Sequence, residues 1–159
     1  MSHAPLPQQT VIAVVGTGAM GAGIAQVAAA AGHPVKLLDN RPDAAARAVD
    51  GIRAQFAKLA EKGKLTAAAA EAAGARLIAV EQLADLADAA LVVEAIVENL
   101  EAKQTLYADL EAIVSADCIF GTNTSSISVT AIGSALKRPE RLAGLHFFNP
   151  APLMKLVEI

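Results

Sequence analysis

Apolar residues in this chain fall into short unbroken runs, separated by alanine-rich or helically patterned stretches. Residues 11–15 (VIAVV) are apolar at every position, the pattern of a strand buried on both faces rather than one alternating between core and water. A second run occupies 35–38, after Gly32 has ended the intervening helix and Pro34 has prevented its continuation. Further strands are predicted at 76–80, 90–94, 118–121 and 142–147, with a last one over 154–159. Between them the period changes to that of a helix. Val49, Ile52, Phe56 and Leu59 mark a helix over 44–62 that starts at Pro42-Asp43 and is stopped by Gly63. Thr66 can cap a short helix over 67–73, which Gly74 ends, and a short connecting helix follows at 81–87. Asn99 can cap the next helix, where Leu106, Leu110, Ile113 and Val114 share a face, and one more short helix is predicted over 129–136. Strands alternating with helices imply an α/β fold: a doubly wound, mostly parallel sheet covered on both faces.

The link between the first strand and the first helix carries the strongest local signal. GTGAMG places Gly16, Gly18 and Gly21 at G-x-G-x-x-G spacing, with Thr17, Ala19 and Met20 between them. The first glycine makes a tight turn, the second lets backbone approach a pyrophosphate, and the third lets helix pack close to strand. The helix start then offers unpaired N–H groups to phosphate. An acid at the end of the second strand completes the pattern by holding the adenosine ribose hydroxyls, and Asp39 stands there. Together these features predict a Rossmann-type dinucleotide site. A carboxylate repels a 2′-phosphate, so NAD is expected over NADP. Arg41 can soften that preference, or sit in solvent as a loop arginine.

Composition narrows the remaining classes. At 159 residues the chain amounts to about one domain, read as a lead-in over 1–9 and a dinucleotide-binding domain over 10–159. A formal net charge of −3 argues against nucleic-acid and anionic-membrane partners. The single cysteine, Cys118, lies in an apolar run, which excludes a disulfide scaffold, and no Cys or His spacing suits a metal. The lead-in lacks a secretory signal pattern, so a cytoplasmic protein is expected. The chain stops in mid-strand at Val157-Glu-Ile159, which predicts that it is a piece of a longer protein.

In an open α/β sheet the ligand lies beyond the carboxyl ends of the strands, which directs attention to Asp39, Glu94, Glu98, the TNTSS loop (122–126), His146 and Asn149. His3 belongs to the lead-in, and His33 is expected to be solvated in a turn. His146 lies in LHFFNPAP, where an apolar run enters a proline-broken loop. A histidine beside two phenylalanines can be structural. However, His146 and Glu158 are equidistant from Pro152, so a reversal there sets them side by side on antiparallel strands. A carboxylate on one imidazole nitrogen fixes the tautomer and frees the other as a general base. Ser125 and Ser126 can either cap the next helix or bond a reacting oxygen. The absence of G-x-S-x-G disfavours a hydrolase triad.

With GTGAMGAGIA, Asp39, VEAIVENLEAK, TNTSS and GLHFFNPAPLMKLVE in register, the sequence resembles the NAD-binding domain of the 3-hydroxyacyl-CoA dehydrogenases from about Val11 to Ile159. The resemblance implies reversible oxidation of an (S)-3-hydroxyacyl-CoA to the 3-ketoacyl-CoA. By it, His146 is the catalytic base, Glu158 its partner, and Ser125 the hydrogen-bond donor to the substrate oxygen. Glu98, Lys103 and Asn149 are implied to contact NAD, and Lys62 the CoA phosphates; read from its helix alone, Lys103 is a solvated lysine. The family also has a helical C-terminal domain that closes over the acyl chain and forms a homodimer, and without it little or no turnover is expected. Details such as GKLT and SSIS look most like bacterial forms acting on 3-hydroxybutyryl-CoA or, in phenylacetate breakdown, on 3-hydroxyadipyl-CoA. The alternatives are a β-hydroxyacid dehydrogenase of another type, which uses a lysine base and lacks HFFNP, and a non-catalytic NAD-binding protein on the same scaffold.

Overall fold

The computed structural model describes residues 6–159; most of the lead-in, including His3, lies outside the described residues. Six strands form one parallel sheet: β1 (Ile12–Val15), β2 (Val35–Leu38), β3 (Leu77–Ala79), β4 (Leu91–Glu94), β5 (Ile119–Thr122) and β6 (Leu142–Gly144). Their spatial order is β3-β2-β1-β4-β5-β6. The sheet is therefore wound outward in both directions from β1, and its switch point lies between β1 and β4. Register there pairs Val15 with Glu94, and one strand further Glu94 with Thr122.

The unbroken apolar runs are explained by a core on each face. Val14, Val35, Leu37 and Val93 face the helices α1 (Ala19–Ala30), α2 (Ala44–Glu61) and α3 (Ala67–Ala75). Their neighbours Ala13, Val15, Leu38 and Val92 face the opposite side, with α4 (Leu100–Ile113), α5 (Val129–Gly133) and the 3₁₀ turn Leu83–Leu86. Successive strand residues thus enter different cores, as the two-residue period requires. Phe56, 2% exposed, anchors α2 to the first core, a burial worth about 1.5–3 kcal/mol. In the second, Tyr107 stacks at a tilt on Phe120 and donates its hydroxyl to the Gly121 carbonyl at 2.9 Å.

Four expectations are corrected. The predicted strand 142–147 is two strands. β6 ends at Gly144, the Leu145 amide makes a last bond to the Thr122 carbonyl at 2.8 Å, and His146–Phe147 leave the sheet as β7. This short strand pairs antiparallel with β8 (Val157–Glu158), only the end of the predicted 154–159 strand. His33 is buried, its Nδ1 3.2 Å from the Thr10 carbonyl oxygen, rather than solvated. The short helix predicted over 129–136 is helical only at Val129–Gly133, with Ser128 capping it through a bond from the Ala131 amide.

Candidate active site

The glycine turn is built around two close approaches. Gly16 has φ +92°, and a Cβ there would stand 2.5 Å from the Ala95 carbonyl oxygen just past β4. A Cβ on Gly21 would collide with the Gly16 carbonyl, so a helix of any other residue could not sit this close to the turn. Gly18 differs: a Cβ there would meet nothing within 4 Å. It is the N-cap of α1, has no side-chain cap and is exposed. Open space over a helix start with unpaired amides is the cradle an anionic pyrophosphate requires, and the residues present fit a dinucleotide. Ala19 and Met20 form the first turn of α1 beside it.

Asp39 follows β2 and reaches back to the turn. The Thr17 amide and hydroxyl donate to its Oδ2 at 2.8 and 2.7 Å. Arg41 donates from its backbone N and Nε to Oδ1 and from Nη2 to Oδ2. The expectation of a solvated arginine is corrected to this extent: Arg41 is exposed, but its guanidinium grips the Asp39 carboxylate. The guanidinium, together with the Thr17 hydroxyl and both amides, holds the Asp39 carboxyl well below the usual carboxylate range against an upward push from burial.

On the other side of the switch point, a chain of charges ties α4 to the loop after β5. Glu94, at the carboxyl end of β4, is 0% exposed. It accepts from Lys103 Nζ at 2.5 Å and the Ile96 amide at 2.8 Å on Oε1, and from the Thr122 hydroxyl at 2.8 Å on Oε2. Lys103, 1% exposed, is not the solvated lysine its helix suggests. Its ammonium is enclosed between Glu94 and Glu98, whose Oε2 is 3.3 Å away. Glu98 Oε1 in turn gathers the TNTSS loop. It accepts from the Thr124 hydroxyl, the Ser125 amide at 3.1 Å, and the Ser126 amide and hydroxyl at 3.3 and 3.2 Å. Burial pushes the Glu98 carboxyl up, but the Thr124 hydroxyl, Lys103 and the Ser125 amide outweigh it and hold it down at about 2. Ser125 itself is exposed at the loop tip. The next helix is capped by Ser128, not by either loop serine.

The β7–β8 pair brings the proposed acid–base couple together. Register sets His146 opposite Glu158, and the His146 Nδ1–H donates to Glu158 Oε2 at 2.9 Å in the tautomer this contact selects. The Phe148 ring packs 4.8 Å from the imidazole centroid. The backbone on either side of His146 is tied to the TNTSS segment: Leu145 N to the Thr122 carbonyl, and Phe147 N to Asn123 Oδ1, both at 2.8 Å. Asn149 is exposed just beyond, before the chain reverses through Pro150. Lys62 caps the end of α2, exposed. A groove of about 1090 Å³ between α1 and α2 is lined by Lys64 instead. Sequence reasoning did not foresee the Thr17 hydroxyl on Asp39 or the burial of Lys103; neither has a spacing signature, because each depends on which strands are neighbours.

Residues 11–159 match the family described as 3-hydroxyacyl-CoA dehydrogenase, NAD binding domain. The chain is 53% identical over 148 residues to a 3-hydroxyadipyl-CoA dehydrogenase of Escherichia coli (strain K12), a match covering 93% of this chain and 31% of that protein. It is 45% identical over 154 residues to the mitochondrial hydroxyacyl-coenzyme A dehydrogenase of Sus scrofa, covering 93% of this chain and 49% of that one. The crystal structure of 3-hydroxybutyryl-CoA dehydrogenase from Escherichia coli K12 superposes with a TM-score of 0.91 at 53% identity, over 96% of this chain and 32% of that one. The chain thus spans about a third to a half of the length of these relatives. The strand order, the glycine turn and the match from Val11 onward agree, and the chain belongs to the 3-hydroxyacyl-CoA dehydrogenase family as its NAD-binding domain.

Proposed function

We propose that this domain works within an enzyme that reversibly oxidises (S)-3-hydroxyacyl-CoA to 3-ketoacyl-CoA, with His146 as general base, Glu158 as its orienting partner and Ser125 on the substrate oxygen. The observation that carries the reading is the His146–Glu158 hydrogen bond at 2.9 Å, on a hairpin tied to the loop that bears Ser125. Because Glu158 takes the Nδ1–H, Nε2 is the nitrogen left to receive the substrate's hydroxyl proton, and the carboxylate stabilises the imidazolium that results. Ser125 positions that hydroxyl and steadies charge on its oxygen as the proton leaves. Bound NAD supplies the acceptor for the hydride released from the β-carbon of the substrate. In the reverse direction the His146 imidazolium returns its proton to the developing alkoxide. The contacts we assign to the cofactor are the turn of Gly16, Thr17, Gly18, Ala19, Met20 and Gly21 at the pyrophosphate, Asp39 at the ribose, and Glu98, Lys103 and Asn149 across the crevice. Lys62 is assigned to the CoA phosphates.

In the relatives this domain is one part of a longer protein, so we assign turnover and dimer formation to a longer form and cofactor binding to the domain alone. The test compares NADH-dependent reduction of acetoacetyl-CoA by that longer form with and without His146→Gln, alongside NADH binding. The substitution is expected to lower kcat by about 10²–10⁴-fold with NADH affinity unchanged. Wild-type protein that binds NADH yet reduces no 3-ketoacyl-CoA would point instead to a non-catalytic NAD-binding role.

A further inference from the structure

The Asp39 carboxylate is saturated before any ligand arrives. Oδ1 accepts from Arg41 N at 3.0 Å and Nε at 2.9 Å; Oδ2 accepts from Thr17 N at 2.8 Å, Thr17 Oγ1 at 2.7 Å and Arg41 Nη2 at 2.9 Å. Five donors therefore share two oxygens that offer about four lone-pair positions. A ribose diol brings two more O–H donors, so it can bond this carboxylate only by displacing some already there. Two of the five are backbone amides fixed by the turn and by the start of the next loop, and the Thr17 hydroxyl belongs to a residue only 9% exposed. The guanidinium is different. Its side chain is 64% exposed over an Asp39 side chain that is 5% exposed, so it covers the carboxylate from the solvent side. It also lines the α1–α2 groove together with Gly18.

We propose that Arg41 sets cofactor discrimination in this chain: it holds Asp39 against the ribose diol until a cofactor displaces it, and the displaced guanidinium then lies beside the ribose 2′-position, where it can pair with a 2′-phosphate. The proposal rests on the assignment of Asp39 to the ribose. With NAD(H), the Arg41–Asp39 pair is broken and the guanidinium gains no new partner. With NADP(H), the same break is offset by a bidentate contact to phosphate, which guanidinium geometry suits. Arg41 thus weakens NAD(H) and admits NADP(H), and the preference for NAD is narrower than Asp39 alone would set.

The experiment titrates NADH and NADPH by their own fluorescence into the 159-residue chain, which contains no tryptophan to overlap the signal, for the unaltered protein, Arg41→Ala and Asp39→Asn. Arg41→Ala is expected to tighten NADH about twofold to fivefold, the range of an exposed ion pair, and to weaken NADPH by about as much. It is also expected to make NADPH affinity less sensitive to salt. If Asp39→Asn weakens NADH while Arg41→Ala leaves the NADH-to-NADPH ratio unchanged, the role of Arg41 is overturned and the ribose assignment stands. If Asp39→Asn leaves NADH affinity unchanged, or the unaltered chain binds no NADH, the ribose assignment fails and the proposal with it.

Discussion

Replacing Lys103 by methionine tests the charge chain under the TNTSS loop, because its unbranched side chain fills the space of the lysine stem as far as Cε and lacks the ammonium. Lys103 Nζ lies 2.5 Å from Glu94 and 3.3 Å from Glu98, and the Lys103 and Glu94 side chains are 1% and 0% exposed. Loss of the cation leaves a fully buried carboxylate whose remaining partners are the Ile96 amide and the Thr122 hydroxyl. An uncompensated buried charge of this kind costs about 3–5 kcal/mol. The Glu98 contact adds little, since that carboxylate is 39% exposed and water screens it. At about 2–4 °C per kcal/mol for a domain of this size, Tm should fall by roughly 6–20 °C. Adding Glu94→Gln to Lys103→Met removes the stranded charge; the amide oxygen can still accept from the Ile96 amide and the new NH2 can donate to the Thr122 hydroxyl oxygen, so the double variant should be more stable than Lys103→Met alone. Thermal and urea unfolding followed by circular dichroism read both values. The reasoning fails if Lys103→Met costs less than about 1 kcal/mol, the ceiling for an ordinary surface pair, or if the two substitutions simply add.

Other outcomes follow from single contacts. Glu98 is held down from the ordinary 4.5 to about 2. A carboxyl lowered on folding contributes stability above its unfolded value and loses it as pH falls through the folded one. The protection factors of the Ser125 and Ser126 amides, which divide out the pH dependence of intrinsic exchange, should therefore fall between about pH 4.5 and 2, and Glu98→Gln should remove that dependence; protection unchanged across the window would refute it. Gly21→Ala forces a methyl group onto the Gly16 carbonyl, and should destabilise the fold by about 1–3 kcal/mol and weaken NADH, measured by urea unfolding and titration. Gly18→Ala has open space, so its stability should stay within about 0.5 kcal/mol while NADH affinity falls. Equal stability losses at the two glycines would contradict their different surroundings.

The division between what was readable in the sequence and what was not follows the range of the interactions. The glycine turn and Asp39 are readable because a strand, a turn and a helix start fix their relative positions within one βαβ unit. The His146–Glu158 pair is readable for a similar reason: a reversal at Pro152 leaves one symmetric register, which the β7–β8 pairing adopts. Lys103 is not readable in this way. Its place on α4 looks like any polar helix position until β4 is set against β5, where Glu94 meets Thr122 and needs a cation. The break in the predicted 142–147 strand has a similar cause: the Leu145 amide closes the ladder on the Thr122 carbonyl at the end of β5, and beyond it the Phe147 amide bonds the Asn123 side-chain oxygen in the next loop rather than a strand carbonyl. The same break moves His146 out of the parallel sheet and into the hairpin with Glu158. Local spacing thus specifies the groups we assign to the cofactor and the proton, and strand adjacency specifies the buried pair and the loop that hold those groups in place. Variants at Glu94 or Lys103 should therefore act on the Ser125 loop and the His146 hairpin together, although neither residue belongs to either.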